Sequence, residues 1–277
     1  MNSLFVFAVL ATAGSPLAAA AQTTAEPLFT LTCPGTPANA DSEERPQGNQ
    51  QFCETRDLTM PVEAGQPLVI DGGDNGGIIV HSWDGPGVRV RAKVQSWAPT
   101  AAAAQAQVQR ITIHSDQNAL RASAPTSDRS WAVSYEVFVP RRTPLALTTV
   151  NGGITLANLQ ARITFRAVNG GVTLAGLGGQ VTGKTVNGGL NIFLSGQQWE
   201  GTGLDVATTN GGVTWQIPPS YSAQLVTSTS AGGLRSNLPA TSPNNQHQAV
   251  NTQLGQGGAT VKAVTTNGGV VVAQQHP

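Results

Sequence analysis

Charge is what this chain has least of. Asp, Glu, Lys and Arg together make up 11% of its 277 residues, less than half of the roughly 25% usual in a globular domain. The 15 basic and 15 acidic residues cancel, so there is no basic footprint for nucleic acid and no polybasic cluster for an anionic membrane surface. Helices with solvated faces normally carry Lys and Glu, so their scarcity argues against a helical protein. Aromatics are 5% of the chain and there are only two cysteines. None of the four histidines stands at metal-ligand spacing from another. HExxH, GxSxG, P-loop, CxxC and EF-hand patterns are all missing. After the first twenty-odd residues no apolar run is long enough to cross a bilayer. What is abundant is Gly (32) and Pro (17), with Thr, Asn and Gln, the composition of many short strands joined by tight turns.

The N-terminus reads as an export signal. Leu4 to Leu10 is apolar, and the small residues ending at Ala19-Ala20-Ala21 provide an Ala-x-Ala site, giving a leader over 1–21 with cleavage before Gln22. The first three residues, Met1-Asn2-Ser3, lack the usual positive charge. Cys33 and Cys53, with no neighbouring His to make a metal site, are expected to form a disulfide in an oxidising compartment. It would close a polar, Pro-rich segment (34–50) and contribute about 3 kcal/mol on the chain-entropy account. Thr30-Leu31-Thr32 before Cys33 is not the small-residue context of a lipid-modified cysteine. Leu238-Pro239-Ala240-Thr241 lacks the following Gly and the apolar tail of a wall-anchoring signal.

The fold is decided by an internal repeat. Asn-Gly-Gly occurs six times, at Asn75-Gly76-Gly77, Asn151-Gly152-Gly153, Asn169-Gly170-Gly171, Asn187-Gly188-Gly189, Asn210-Gly211-Gly212 and Asn267-Gly268-Gly269, with a degenerate copy at Ala231-Gly232-Gly233. The first regular intervals are 18 residues (151 to 169, 169 to 187), and later ones stretch to 23 and 21. Val150, Val168 and Val186 precede the Asn. Three and five residues after it stand Ile154 and Leu156, Val172 and Leu174, Leu190 and Ile192, Val213 and Trp215. Leu159 and Leu177 follow at eight, Ile163 and Val181 at twelve, and Phe165 two beyond Ile163. Such i, i+2 alternation makes half-buried strands, two per repeat, with Asn-Gly-Gly at a corner where positive φ is expected of Gly. A β-solenoid of roughly 18-residue, two-strand repeats follows, because like must stack on like. The alternative is an antiparallel meander or sandwich, with Asn-Gly as a hairpin turn. Gly76 to Val80 and the alternating Val88, Val90 and Val94 join the scheme. So does the face of Trp131, Val133, Tyr135, Val137 and Val139, in which Trp131 and Tyr135 read as core. Ala101 to Arg110 is the one helical stretch. The expected division is leader 1–21, disulfide-bearing segment 22–60 and repeat domain 61–277, with the segment before Asp71 capping one end.

VNGGITL, VNGGVTL, VNGGLNI and TNGGVTW, with the upstream NGGIIV…VRVRAKV and VSYEVFVPRR, resemble the bacterial adhesin-like family called Toastrack. The resemblance covers roughly Asp71 to the C-terminus. It implies an extracytoplasmic β-solenoid of unknown function, in some members attached to envelope-stress signalling proteins. It carries no catalytic residues, and this sequence lacks the transmembrane segment and fused sensor domain of signalling members.

Candidate sites are few. No catalytic, cofactor or metal residues are expected. Asp71-Gly72-Gly73-Asp74-Asn75 is oxygen-rich but lacks calcium-loop spacing, and reads as a turn closed by side-chain-to-backbone bonds. His81 and His114 beside strands, and His247 and His276 in polar sequence, read as solvated. Glycoside hydrolysis would need paired carboxylates, and after Thr143 only Glu200 and Asp205 exist. Trp199 reads as core or corner packing, with exposure as a sugar-stacking surface the alternative. The reading is thus a non-catalytic adhesin-like or scaffold module, exported to the periplasm or cell surface, that contacts an envelope protein or glycan and not nucleic acid. A polysaccharide-active enzyme using Glu200 and Asp205 is one alternative, and a periplasmic accessory of envelope-stress signalling is another.

Overall fold

The structure, a computed structural model, describes residues 25–34, 48–61, 65–116, 118–125, 130–238 and 248–275. The proposed leader, most of the polar segment, His247 and His276 lie outside them. The first part of the chain forms β1 (Gln50–Met60), β2 (Leu68–Asp71), β3 (Ile78–Trp83), β4 (Val88–Ala98), α1 (Ala101–Arg110), β5 (Thr112–His114), β6 (Ala119–Ser123) and β7 (Trp131–Pro140). The regular repeats follow as β8 (Leu145–Thr149) and β9 (Ile154–Ala157), β10 (Gln160–Ala167) and β11 (Val172–Ala175), β12 (Gly178–Asn187) and β13 (Leu190–Phe193), and β14 (Gly203–Asn210) and β15 (Val213–Ile217). The chain closes with β16 (Ala223–Ala231), β17 (Leu234–Ser236), β18 (Ala249–Leu254), β19 (Thr260–Asn267) and β20 (Val270–Gln274). The helix expected at 101–110 is there end to end. Thr100 caps it, its side chain accepting from the Ala103 amide at 3.2 Å, and the Arg56 guanidinium donates to the Val108 and Ile111 carbonyls at its other end.

The strands make two large mixed sheets of ten strands each, neither of them closed. Each Asn-Gly-Gly repeat gives one strand to each sheet. The first sheet runs β1-β4-β7-β3-β9-β11-β13-β15-β20-β17 and the second β18-β16-β19-β14-β12-β10-β8-β2-β6-β5. The sandwich-like alternative therefore fits. Through the repeats, however, pairing is parallel and in register: Ile154, Val172, Leu190, Val213 and Val270 form one inward row. Asn-Gly is thus a corner between the two sheets and not a hairpin turn within one. The residues at +3 and +5 from each Asn are buried in one continuous core, as are Ile163, Val181 and Leu159. Large and small residues alternate within it: a Cβ on Gly183 would fall 2.4 Å from the Phe165 ring, its ladder neighbour.

Spatial order departs from chain order at both ends of the stack. β6 and β7 lie outside β2 and β3 although they follow them in sequence. At the far end β16–β17 sits one place beyond the growing stack, and β19–β20 returns to fill the gap between it and β14–β15. Thr227 marks that arrangement. It is fully buried, accepts from Trp215 Nε1 at 3.1 Å and donates to the Ala263 carbonyl at 2.7 Å, so one hydroxyl ties three repeats. The N-terminal segment supplies β1, an antiparallel edge on β4 running from Gln50↔Ala98 to Met60↔Val88.

Candidate interaction surface

Three columns of side chains hold the Asn-Gly-Gly corners together. The first is an amide ladder in which each Asn donates from Nδ2 to Oδ1 of the preceding one: Asn151 to Asn75 (3.2 Å), Asn169 to Asn151 (2.7 Å), Asn187 to Asn169 (2.7 Å), Asn210 to Asn187 (2.8 Å) and Asn267 to Asn210 (2.8 Å). At its start Asn75 donates to the Trp131 carbonyl. Ala231, paired with Asn267, ends it. The second column is Thr149, Thr185, Thr208, Thr265 and Thr229, buried two places before the corner, each hydroxyl donating at 2.6–2.8 Å to the first-glycine carbonyl of a neighbouring corner. Ala167 holds this slot at one rung. The third column is the first glycine itself. A Cβ on Gly170 would fall 2.0 Å from the Gly152 carbonyl oxygen, and those on Gly152, Gly188, Gly211 and Gly268 would meet their neighbours' carbonyls at 2.1–2.2 Å. The expected reason for glycine is thereby corrected. No Asn-Gly-Gly glycine has positive φ, and what excludes a side chain is the carbonyl stacked beneath it. The second glycines are looser: a Cβ on Gly171 would find its nearest atom at 3.7 Å. Val150, Val168 and Val186 stack as expected but lie outside, half-buried or exposed.

The two acids after Thr143 are both engaged. Glu200 accepts from Gln160 Nε2 at 2.6 Å, and Asp205 pairs with Lys262 at 3.3 Å. Trp199, one residue from Glu200, is 5% exposed and donates from Nε1 to the Gly179 carbonyl, so its ring is packing and not an open stacking surface. Burial pushes the Tyr221 phenol up, and the charge of Glu200 adds to it. In the 71–75 turn, Asp71 Oδ1 accepts from the Gly73 amide (2.9 Å) and the Thr148 hydroxyl (3.3 Å), the side-chain-to-backbone closure expected there. Cys33 and Cys53 are disulfide-bonded. His114 bonds Ser123. His81 is not simply solvated, since it stacks on Phe138 with Nε2 3.8 Å from Glu136.

Glu136 escaped the sequence reading. It is a fully buried carboxylate on β7 that accepts from the Thr30 and Leu31 amides at 2.8 and 2.7 Å and from the Thr30 hydroxyl at 2.9 Å. With Glu26 on Arg89, Phe29 edge-on to Phe138 and Arg91 over Phe29, it straps residues 25–34 across the outside of the first sheet. Its only signal was a charged residue inside the apolar run VSYEVFV. The threonine column left a plainer one, Thr two places before the corner in most copies.

No family model matches the chain, and no curated protein matches it. Among solved structures it is similar to a proposed cell adhesion protein from Clostridium sporogenes (11% identity, 81% of this chain and 100% of that one, TM-score 0.43). It is also similar to a proposed adhesin from Bacteroides fragilis (13% identity, 81% and 97%, TM-score 0.34) and a proposed lipid binding protein from Parabacteroides distasonis (11% identity, 80% and 96%, TM-score 0.34). Among the described residues no helix is long and apolar enough to cross a membrane, and no group of three or more His, Cys, Asp or Glu is placed to hold a metal ion.

Proposed function

We propose that this protein is a non-catalytic, adhesin-like interaction module of the bacterial cell envelope, built as a β-solenoid on the Toastrack pattern. The observation that carries this reading is where the polar side chains go. The Asn, Thr and first Gly of the corners, where present, stack one repeat upon the next, which makes a rigid scaffold. The outward residues left over are mainly hydroxyls and amides, with small apolar side chains and few charges among them. The two carboxylates an enzyme would need each face a separate polar partner, Gln160 and Lys262. Export by the 1–21 leader to the periplasm or cell surface is supported by the disulfide. In the working division, residues 22–60 carry the disulfide and β1 and cover one end of the repeat body 61–277.

The test is incubation of the purified mature protein with a panel of envelope and extracellular polysaccharides, scored for both binding and release of reducing ends. Binding without release is expected. Release that disappears in an Asp205→Asn variant would establish the enzyme alternative instead.

A further inference from the structure

We propose that the outer face of the second sheet is the docking surface, and that its occupant is an anionic glycan whose carboxylates meet Arg162, Arg166 and Lys184. The inference rests on the module reading and names its partner class. In the repeats the two outer faces differ. On the first sheet the central outward row is Thr155, Thr173, Asn191, Thr214 and Val271, without charge until Arg235 at its far edge. On the second sheet Arg166 and Lys184 are ladder neighbours on β10 and β12, about 5 Å apart across the strands. Arg162 stands four residues back along β10, about 13 Å away. All three are exposed, and none has a carboxylate partner among the described residues. Lys262 on β19 is already paired with Asp205, and Arg121 stands apart on β6, beyond β8 and β2.

Beside Arg166 and Lys184 the outward residues shorten to Ala207 and Val264, which leaves a trough of about 550 Å³ rimmed by the hydroxyls of Thr209, Ser228 and Ser230. It continues past Thr182 to Gln180, the ladder neighbour of Arg162. A shallow bed lined with hydroxyls, with Arg162, Arg166 and Lys184 along one wall and the Asp205–Lys262 pair opposite, complements a chain that carries many hydroxyls and regularly spaced carboxylates. Single-stranded nucleic acid is bound by aromatic stacking platforms, and none points outward from β10, β12, β14, β19 or β16. An anionic bilayer is held by clusters of about four to eight cations, whereas only Arg162, Arg166 and Lys184 are grouped here without a carboxylate beside them.

The experiment measures binding of the full mature protein to polygalacturonate, to its methyl-esterified form, to duplex DNA and to phosphatidylglycerol vesicles at one fixed ionic strength. Polygalacturonate is expected to bind, and esterification to abolish most of that binding. The triple variant Arg162→Gln/Arg166→Gln/Lys184→Gln should weaken it about tenfold or more at unchanged melting temperature, while Arg235→Gln on the first sheet leaves it unchanged. Equal binding of the esterified polymer, preference for DNA or vesicles, or an unaffected triple variant would each overturn the proposal. If the triple variant binds polygalacturonate as the parent does and neither cleaves any panel polysaccharide, this surface is wrong and the module reading stands. Release of sugar would sink the module reading itself.

Discussion

At the scale of single residues, the two glycines of each corner have opposite tolerances although they are adjacent and identical. Gly170→Ala would drive a methyl into the Gly152 carbonyl, where the nearest atoms are backbone and have nowhere to go. A cost above about 3 kcal/mol is expected, the range of severe overpacking. Gly171→Ala meets only ordinary contact and should stay within about 0.5 kcal/mol. Thermal melts of the two variants read the contrast, and equal melting temperatures would remove close stacking as the reason for glycine. The threonine column offers a gain. Ala167 occupies a slot where its neighbours Thr149 and Thr185 donate to a corner carbonyl, so Ala167→Thr can donate to Gly152. It should stabilise by about 1 kcal/mol, the net worth of a made hydrogen bond. Tyr135→Phe should be neutral or stabilising, because the Tyr135 hydroxyl is buried without a partner and its removal relieves a desolvated group.

At the scale of elements, the strap over the first sheet hangs on one carboxylate and one disulfide. Glu136→Leu would leave the Thr30 and Leu31 amides without their acceptor, while Cys33–Cys53 still tethers the segment to β1. Limited proteolysis should then cut within 25–34 well before the repeat body, and unchanged protection would mean Glu136 is not what holds the strap. The strand elements were legible in the sequence because burial with period two is written in residue type: Ile154 and Leu156 at fixed offsets from Asn151 could face only inward. The helix was legible because the Ala- and Gln-rich AAAAQAQVQR has strong helical propensity. The strap was not, since Glu136 sits at an outward position of an apolar strand and its partners lie 105 and 106 residues away. Nor was the amide ladder. Asn was explained by turn preference, whereas its side chain serves the neighbouring repeat. Glu200 and Asp205 are the only acids after Thr143, but composition could not show that each has a partner.

At the scale of the whole molecule, the order of stacking is the feature sequence spacing could not provide, because every repeat carries the same offsets and any two would pair in register. One clue was present. Ala231 replaces Asn in the degenerate copy, and it stands where the amide ladder ends, a position with a ladder neighbour on one side only. What makes the order specific is the interior. Trp215 reaches from its own repeat across to Thr227, two places away, while the intervening repeat offers only Ala263 at the matching inward position. The strands β19–β20 are therefore a keystone: β14 and β16 each pair with β19, about 10 Å apart on its two sides. A chain ending after Leu254 keeps the antiparallel β16–β18 pair but removes β19, the strand on which it rests. β16 should not simply step inward onto β14, because the Trp215 indole fills the space Thr227 would need. Hydrogen exchange of that truncated chain is expected to show lost protection over 223–238 and 248–254 and retained protection over 145–217, since each repeat depends chiefly on its nearest neighbours. Full protection at 223–231 would show that the repeats are interchangeable and that Trp215 does not set their order.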